Sequence, residues 1–140
     1  YSNQAAGIHV GSGTQVRDCT AATNQTHGIQ VSHRCLVTGN LCEANDYGIY
    51  ATGNGNQIER NQTAQNVTLG IRVAGRGNLV VKNGLFNNVG TLGNHNYSIA
   101  AENWFGPVIT TWSAAANGQL SNTYPNQHPW ANFADPENIE

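Results

Sequence analysis

Charged residues are scarce in this sequence. They make up 10% of its 140 residues, and the formal net charge at pH 7 is −2. Proteins that bind nucleic acid or an anionic membrane surface through their charge carry a basic surplus, so this composition argues against both partners. No run of 18 apolar residues occurs, which excludes a membrane-spanning helix.

Cysteine is also rare, and its three copies cannot all pair within one chain. The spacing of Cys19, Cys35 and Cys42 matches no zinc-binding or redox motif. We expect Cys42 to be a buried thiol that packs as a small hydrophobe. A disulfide joining Cys19 to Cys42 stays open as an alternative.

What the sequence does contain is one pattern written four times. Each copy begins with a Gly-Ile pair, and the pairs start at Gly7, Gly28, Gly48 and Gly70. A second apolar position follows in each copy, at Val16, Val37, Ile58 and Val80. Asparagines form two further columns, at Asn40, Asn61 and Asn83 and at Asn3, Asn24, Asn45, Asn66 and Asn88. Self-similarity at a fixed period of roughly 20 to 50 residues indicates stacked repeats.

The apolar runs within each copy are too short for helices. They span only a few alternating residues between glycine and asparagine, which is typical of short strands. Each copy is therefore predicted to be one turn, here called a coil, of a parallel β-solenoid. Equivalent residues of successive coils should then stack about 4.8 Å apart. Asparagine suits the columns because it tolerates the left-handed backbone region and its amide can bond the next asparagine.

The repeat and the tail together resemble a known family. The motifs are Gly-Ile-x-Val with a Gly/Asn turn, residues 77–83, residues 96–103, Gly106-Pro107-Val108-Ile109 and Pro129-Trp130-Ala131-Asn132-Phe133. They resemble the right-handed parallel β-helix repeat proteins of the pectate-lyase-like superfamily, and in particular the C-terminal part of uncharacterised exported bacterial members. The resemblance implies an all-β, right-handed parallel β-helix of about four to five coils.

The tail breaks the period and changes composition. All prolines and tryptophans of the chain lie within residues 89–140. Proline cannot continue a strand ladder, whereas large aromatic side chains cover apolar surface well. We therefore divide one domain into coils at 1–88 and a tail at 89–140, which adds a last strand near Tyr97 and an irregular aromatic C-terminal cap. Stacking of the tryptophans on sugar rings is the alternative.

Two outward positions flank the Gly-Ile pair of each copy, one after the isoleucine and one before the glycine, and each position forms a column through the four copies. One contains His9, Gln30, Tyr50 and Arg72, and the other contains Ala6, His27, Tyr47 and Leu69. Arginine can neutralise a uronate carboxylate, and histidine or tyrosine can remove the C5 proton, as a polysaccharide lyase or uronate C5-epimerase requires. The candidate catalytic residues are His27, Tyr50 and Arg72. The candidate glycan-contacting residues are His9, Gln30, Tyr47, Tyr50 and Arg72. Packing on the sheet face alone is the competing interpretation.

Acidic residues are too scattered to supply the usual chemistry of such enzymes. Asp18, Glu43, Asp46 and Glu59 fall in different columns, so we predict no Ca²⁺ site and no paired carboxylates of a glycoside hydrolase. The histidines share no metal-ligand spacing. We therefore predict no metal and no cofactor.

These observations favour a non-catalytic extracellular or cell-surface bacterial module. It would be structural or glycan-contacting, and its bare first coil would associate with further copies as a dimer or trimer, or with upstream coils of a longer parent chain. The chain opens without methionine or a signal-peptide pattern, so we expect a mature product or an excised piece. The alternative is a lyase or epimerase acting on an acidic polysaccharide, or the C-terminal remnant of a larger such enzyme.

Overall fold

The computed structural model describes residues 4–88, 96–109 and 130–134. Within them the chain forms strands and no helix. The first coil contains β1 (Ile8–Val10), β2 (Gln15–Arg17) and β3 (Thr20–Ala22), and the second β4 (His27–Val31), β5 (Leu36–Thr38) and β6 (Leu41–Glu43). The third contains β7 (Tyr47–Ala51), β8 (Gln57–Glu59) and β9 (Gln62–Ala64), and the fourth β10 (Leu69–Val73), β11 (Leu79–Val81) and β12 (Gly84–Phe86). The tail adds β13 (Tyr97–Ile99), β14 (Trp104–Phe105), β15 (Val108–Ile109) and β16 (Asn132–Ala134).

The strands stack into three parallel sheets that run along the solenoid. The first sheet has the order β1-β4-β7-β10-β13, the second β14-β11-β8-β5-β2 and the third β15-β16-β12-β9-β6-β3. Every strand pairing between successive coils of the described residues is parallel and joins equivalent strands. The predicted parallel β-helix is therefore confirmed.

The equivalent apolar residues of the four copies stack in interior rows, as the repeat predicts. Ile8 pairs with Ile29, Ile29 with Ile49, and Ile49 with Ile71. The other two rows are likewise in register, with Val10, Val31, Ala51 and Val73 in one and Val16, Val37, Ile58 and Val80 in the other. Tyr97 takes the place after Ile71, and these side chains form one continuous core. Burying each such side chain contributes roughly 1.5 to 3 kcal/mol.

Cys42 lies in the core as expected, in one row with Ala21, Thr63 and Leu85. It is fully buried, and burial raises the pKa of its thiol to about 12. Cys19 and Cys35 are also free thiols, so no disulfide joins Cys19 to Cys42 in the structure. The Cys35 thiol donates to the carbonyl oxygen of Gly11.

The asparagine columns are buried ladders of side-chain hydrogen bonds. Asn40 Nδ2 donates to Asn61 Oδ1 at 2.9 Å, and Asn61 Nδ2 donates to Asn83 Oδ1 at 3.1 Å. The second column behaves in the same way from Asn24 to Asn88, while Asn3 lies outside the described residues. A third ladder, which we did not predict, joins Asn56, Asn78 and Asn103. Amide bonding between coils is therefore a general device of this chain.

The expected left-handed backbone of these asparagines is wrong. The residue just before each ladder position adopts positive φ instead, for example Gly39 at 68°, Arg60 at 55° and Gln65 at 54°. This placement makes the corner turn while the asparagine side chain points inward to the ladder. The backbone of the corner is held by the next coil, since the N–H of Gln65 donates to the carbonyl oxygen of Phe86.

In the third sheet, the last two strands do not follow their order in the chain. β16 lies between β12 and β15, although β15 precedes it in the chain. Asn132 of β16 extends the ladder of Asn83, whose Nδ2 donates to Asn132 Oδ1 at 3.1 Å. The described tail therefore covers the exposed edge of the fourth coil with strands β13 to β16. The predicted contribution of Trp112 to the cap lies outside the described residues.

Candidate functional site

A kink in the first sheet brings two columns of side chains onto one outer surface. In a regular strand, residues three apart point to opposite faces. In β7, however, Gly48 and Ile49 are both buried, so Tyr47 and Tyr50 are both directed outward. An added Cβ on Gly48 would lie 2.5 Å from the carbonyl oxygen of Gly70, which explains why only glycine fits at the kink. The same buried pair recurs in β4 and β10.

The kink assembles a cluster of aromatic rings. The His27 ring centroid lies 5.1 Å from that of Tyr47 and 5.0 Å from that of Tyr50. The two tyrosine rings are 5.8 Å apart and tilted by 31°. All three side chains are half-buried, so each ring restricts the rotamers of the others. These contacts pre-organise the outer surface of the second and third coils.

Arg72 of the fourth coil completes the cluster. Its guanidinium carbon lies 5.6 Å from the Tyr47 ring centroid and 5.2 Å from that of Tyr50, within the range of cation–π attraction. Arg72 Nη1 donates to the Tyr47 hydroxyl oxygen at 3.2 Å. The ion pairs within the described residues involve Arg60 and Arg76 only, so the Arg72 charge has no carboxylate partner there. The guanidinium is therefore oriented and keeps donors for a ligand.

The environment of His27 favours its neutral form. Burial lowers the pKa of His27 below its ordinary value of 6.5, and the charges of Arg72 and His9 lower it further, while Asp46 opposes them. The Nδ1 atom is buried and has no hydrogen-bond partner within the described residues. At neutral pH this ring can therefore accept a proton, but the unpartnered nitrogen is enclosed by protein.

The structure brings four of the predicted site residues into contact and leaves two beside them. His27, Tyr47, Tyr50 and Arg72 form the cluster. His9 and Gln30 belong to the row of outward side chains that also contains Tyr50 and Arg72, here called the outer row. His9 is opposite Gln30, Gln30 is opposite Tyr50, and Tyr50 is opposite Arg72 in register. His9 is exposed and influences the cluster through its charge.

Two residues near the cluster were not predicted as site residues. Ser98 pairs with Arg72 and extends the outer row into the tail, where the broken period hid it. Asp46 accepts a hydrogen bond from the Thr68 hydroxyl and acts on His27 through its charge. Its position just before Tyr47, where the chain enters β7, was the available signal.

The described part of the chain contains no convergent set of three histidine, cysteine, aspartate or glutamate side chains that could hold a metal ion. In the same residues, no helix is long and apolar enough to cross a membrane.

Comparison with known proteins supports the architecture. Residues 1–119 match the family model described as "Right handed beta helix region". No curated protein and no solved structure gave a significant match. The match covers the whole outer row from His9 to Ser98, and it describes a fold without specifying a reaction.

Proposed function

Because the chain belongs to the right-handed beta helix family, we propose that its first sheet is a rigid surface for an acidic polysaccharide. In this proposal the protein is a non-catalytic module that works outside the cell or at the cell surface. The polysaccharide would lie along the solenoid axis across the outer row of the first sheet.

The observation that carries this proposal is the state of Arg72. Two tyrosine rings and the Tyr47 hydroxyl hold its guanidinium in place, and no described carboxylate neutralises it. Arginine presents several N–H donors in a planar fork that matches a carboxylate in two parallel hydrogen bonds. A uronate carboxylate therefore fits the donors that Tyr47 leaves unused.

The rest of the outer row suits a linear polymer. Its side chains repeat once per coil, about 4.8 Å apart, because parallel pairing fixes that spacing. They are His9, Gln30, Tyr50, Arg72 and Ser98. Imidazole, amide and hydroxyl groups at this regular spacing can bond the hydroxyl groups of successive sugars.

Calorimetric measurement of the affinity for oligogalacturonate or oligoguluronate tests the proposal. Replacing Arg72 by glutamine should weaken binding about tenfold or more, because a charge-assisted hydrogen-bonded pair is lost. Arg60→Gln is the matched control, since Arg60 is an exposed arginine away from the first sheet. Equal affinities of the wild type and both variants would show that Arg72 does not bind the polymer and would overturn the proposal.

Self-association is a further part of the proposal. β1, β2 and β3 are the outer strands of their sheets at the start of the solenoid. Outer strands present unpaired backbone groups that another chain can pair with. Light scattering over a wide concentration range should show a dimer or a trimer. A mass that stays monomeric throughout would refute self-association.

The second candidate function is a polysaccharide lyase or uronate C5-epimerase, including the C-terminal remnant of a larger such enzyme. The neutral state of His27 beside Arg72 and Tyr50 favours it, because a base and a carboxylate-binding group then lie on one surface. The enclosed Nδ1 weighs against it. Incubation with pectate, alginate and glycosaminoglycans should give an unsaturated uronate product or inverted C5 stereochemistry if the enzyme hypothesis is right. Absence of both changes with all substrates would eliminate it.

A further inference from the structure

A second polar site lies at a corner of the solenoid, where the chain passes from the first sheet to the second. A shallow cavity of about 320 Å³, open to solvent, lies there, and the exposed residues Ser12, His33, Arg34, Asn54 and Gly55 line it. We propose that this corner cavity binds an oxyanion group of the sulfate or phosphate type. The proposal is independent of the outer row of the first sheet.

The ring of His33 is fixed in position and in tautomer. Its Nδ1 atom accepts a hydrogen bond from the backbone N–H of Asn54 at 3.0 Å. The ring also packs on Gly53, where an added Cβ would lie 2.7 Å from the ring atoms. A neutral imidazole that accepts at Nδ1 carries its proton on Nε2. His33 therefore offers one N–H donor, on the side of the ring away from Gly53 and Asn54.

Arg34 supplies the charge. Its backbone has a φ of 54°, and its N–H donates to the carbonyl oxygen of Asn54 at 2.9 Å, so the neighbouring coil fixes the base of the side chain. The guanidinium makes no hydrogen bond or ion pair within the described residues. By contrast, Arg72 is bonded to Tyr47 and Arg76 to Glu102. Arg34 is thus a free cation that lines a cavity.

The other polar groups that line the cavity can also donate hydrogen bonds. Asn54 Oδ1 already accepts from the backbone N–H of Arg76 at 3.0 Å, which leaves the Asn54 amide nitrogen as a donor. Ser12 adds a hydroxyl group, and no carboxylate lines the cavity. Arg34, His33, Asn54 and Ser12 together present donors without a competing acid. Such a set matches an oxyanion, whose unprotonated oxygens accept hydrogen bonds.

Titration with sodium sulfate, at ionic strength held constant with sodium chloride, tests the site by nuclear magnetic resonance. The Asn54 backbone amide and the His33 ring protons should shift in a saturable way. Arg34→Gln should weaken this binding about tenfold or more, because the charged partner is lost. Arg17→Gln is the matched control, since Arg17 is another exposed arginine but lines no part of this cavity. It should bind sulfate like the wild type.

A second variant tests the role of the histidine. His33→Phe keeps a ring against Gly53 but removes both the Nε2 donor and the Nδ1 acceptor of the Asn54 N–H, so it should weaken sulfate binding severalfold while the far-ultraviolet circular dichroism stays unchanged. Parallel titrations with sodium phosphate and a sulfated oligosaccharide separate two sources of the group. Tighter binding of the oligosaccharide identifies a polymer substituent, and equal binding identifies the free ion. A linear, unsaturated response to sulfate, or equal weakening by Arg34→Gln and Arg17→Gln, would overturn the proposal.

Discussion

Replacing Asn61 by alanine should lower the free energy of unfolding by about 3 to 5 kcal/mol. The Asn61 side chain joins three coils. Its Oδ1 accepts from the backbone N–H and Nδ2 of Asn40 at 3.1 and 2.9 Å. Its Nδ2 donates to the carbonyl oxygen of Val37 at 2.9 Å and to Asn83 Oδ1 at 3.1 Å. Each bond contributes about 1 kcal/mol, and the buried Asn40 N–H would keep no acceptor.

Urea unfolding of the variant and the wild type measures this cost through the transition midpoint. Gln62→Ala is the control, because Gln62 is an exposed amide at the next position and its loss should change stability by about 0.5 kcal/mol or less. Hydrogen exchange at the Asn40 amide localises the effect. This proton should be protected in the wild type and should exchange much faster in the Asn61→Ala variant.

Asn61→Asp separates hydrogen bonding from shape. It keeps the acceptor for Asn40 but replaces Nδ2 by an oxygen that faces two acceptors, the Val37 carbonyl and Asn83 Oδ1. At neutral pH the aspartate variant should be at least as unstable as the alanine variant, and it should recover as acid protonates the carboxylate. If Asn61→Ala costs no more than Gln62→Ala, the ladder does not hold the coils together and the reasoning fails.

Three further predictions concern the core, the kink and the ring cluster. Ile49→Ala should cost about 2 to 5 kcal/mol in urea unfolding, because it opens a cavity in a fully buried row. A cost below about 1 kcal/mol would contradict that packing. Gly48→Ala should destabilise the fold, since its Cβ would lie 2.5 Å from the Gly70 carbonyl oxygen, whereas Gly11→Ala, with open space around it, should not. Equal effects of these two substitutions on the melting temperature would refute the kink argument. The lowered pKa of His27 means that the unfolded chain binds the proton more readily, so stability should fall as pH decreases from about 6.5 through the folded pKa. His27→Gln should flatten that part of the stability profile, and an unchanged profile would contradict it.

Much of the fold could be predicted because a solenoid repeats its contacts. Once the period was recognised, Ile29 had to stack between Ile8 and Ile49, and Asn61 between Asn40 and Asn83. The third asparagine ladder was missed because Thr14 and Cys35 occupy its places in the first two coils and its last member lies in the irregular tail.

The sequence predicted which residues lie together in the candidate site, but it did not predict how their side chains contact one another. Columns placed His27, Tyr47, Tyr50 and Arg72 near one another. They could not show that Arg72 rests on the tyrosine rings or that the Nδ1 atom of His27 is enclosed, because both depend on rotamers chosen by packing. The corner cavity was missed although Ser12, His33, Asn54 and Arg76 occupy equivalent positions of successive coils, because four different side chains do not form a column of one residue type.

The sequence alone determined which residues share a row, because parallel pairing between coils leaves equivalent positions only one strand spacing apart. The tertiary structure decided where the chain departs from that repetition. The buried glycine pair turns Tyr47 and Tyr50 to the same side, and β16 enters the third sheet ahead of β15. Both departures arise from steric fit and from hydrogen bonds between distant segments, such as Asn83 with Asn132, which no local period encodes.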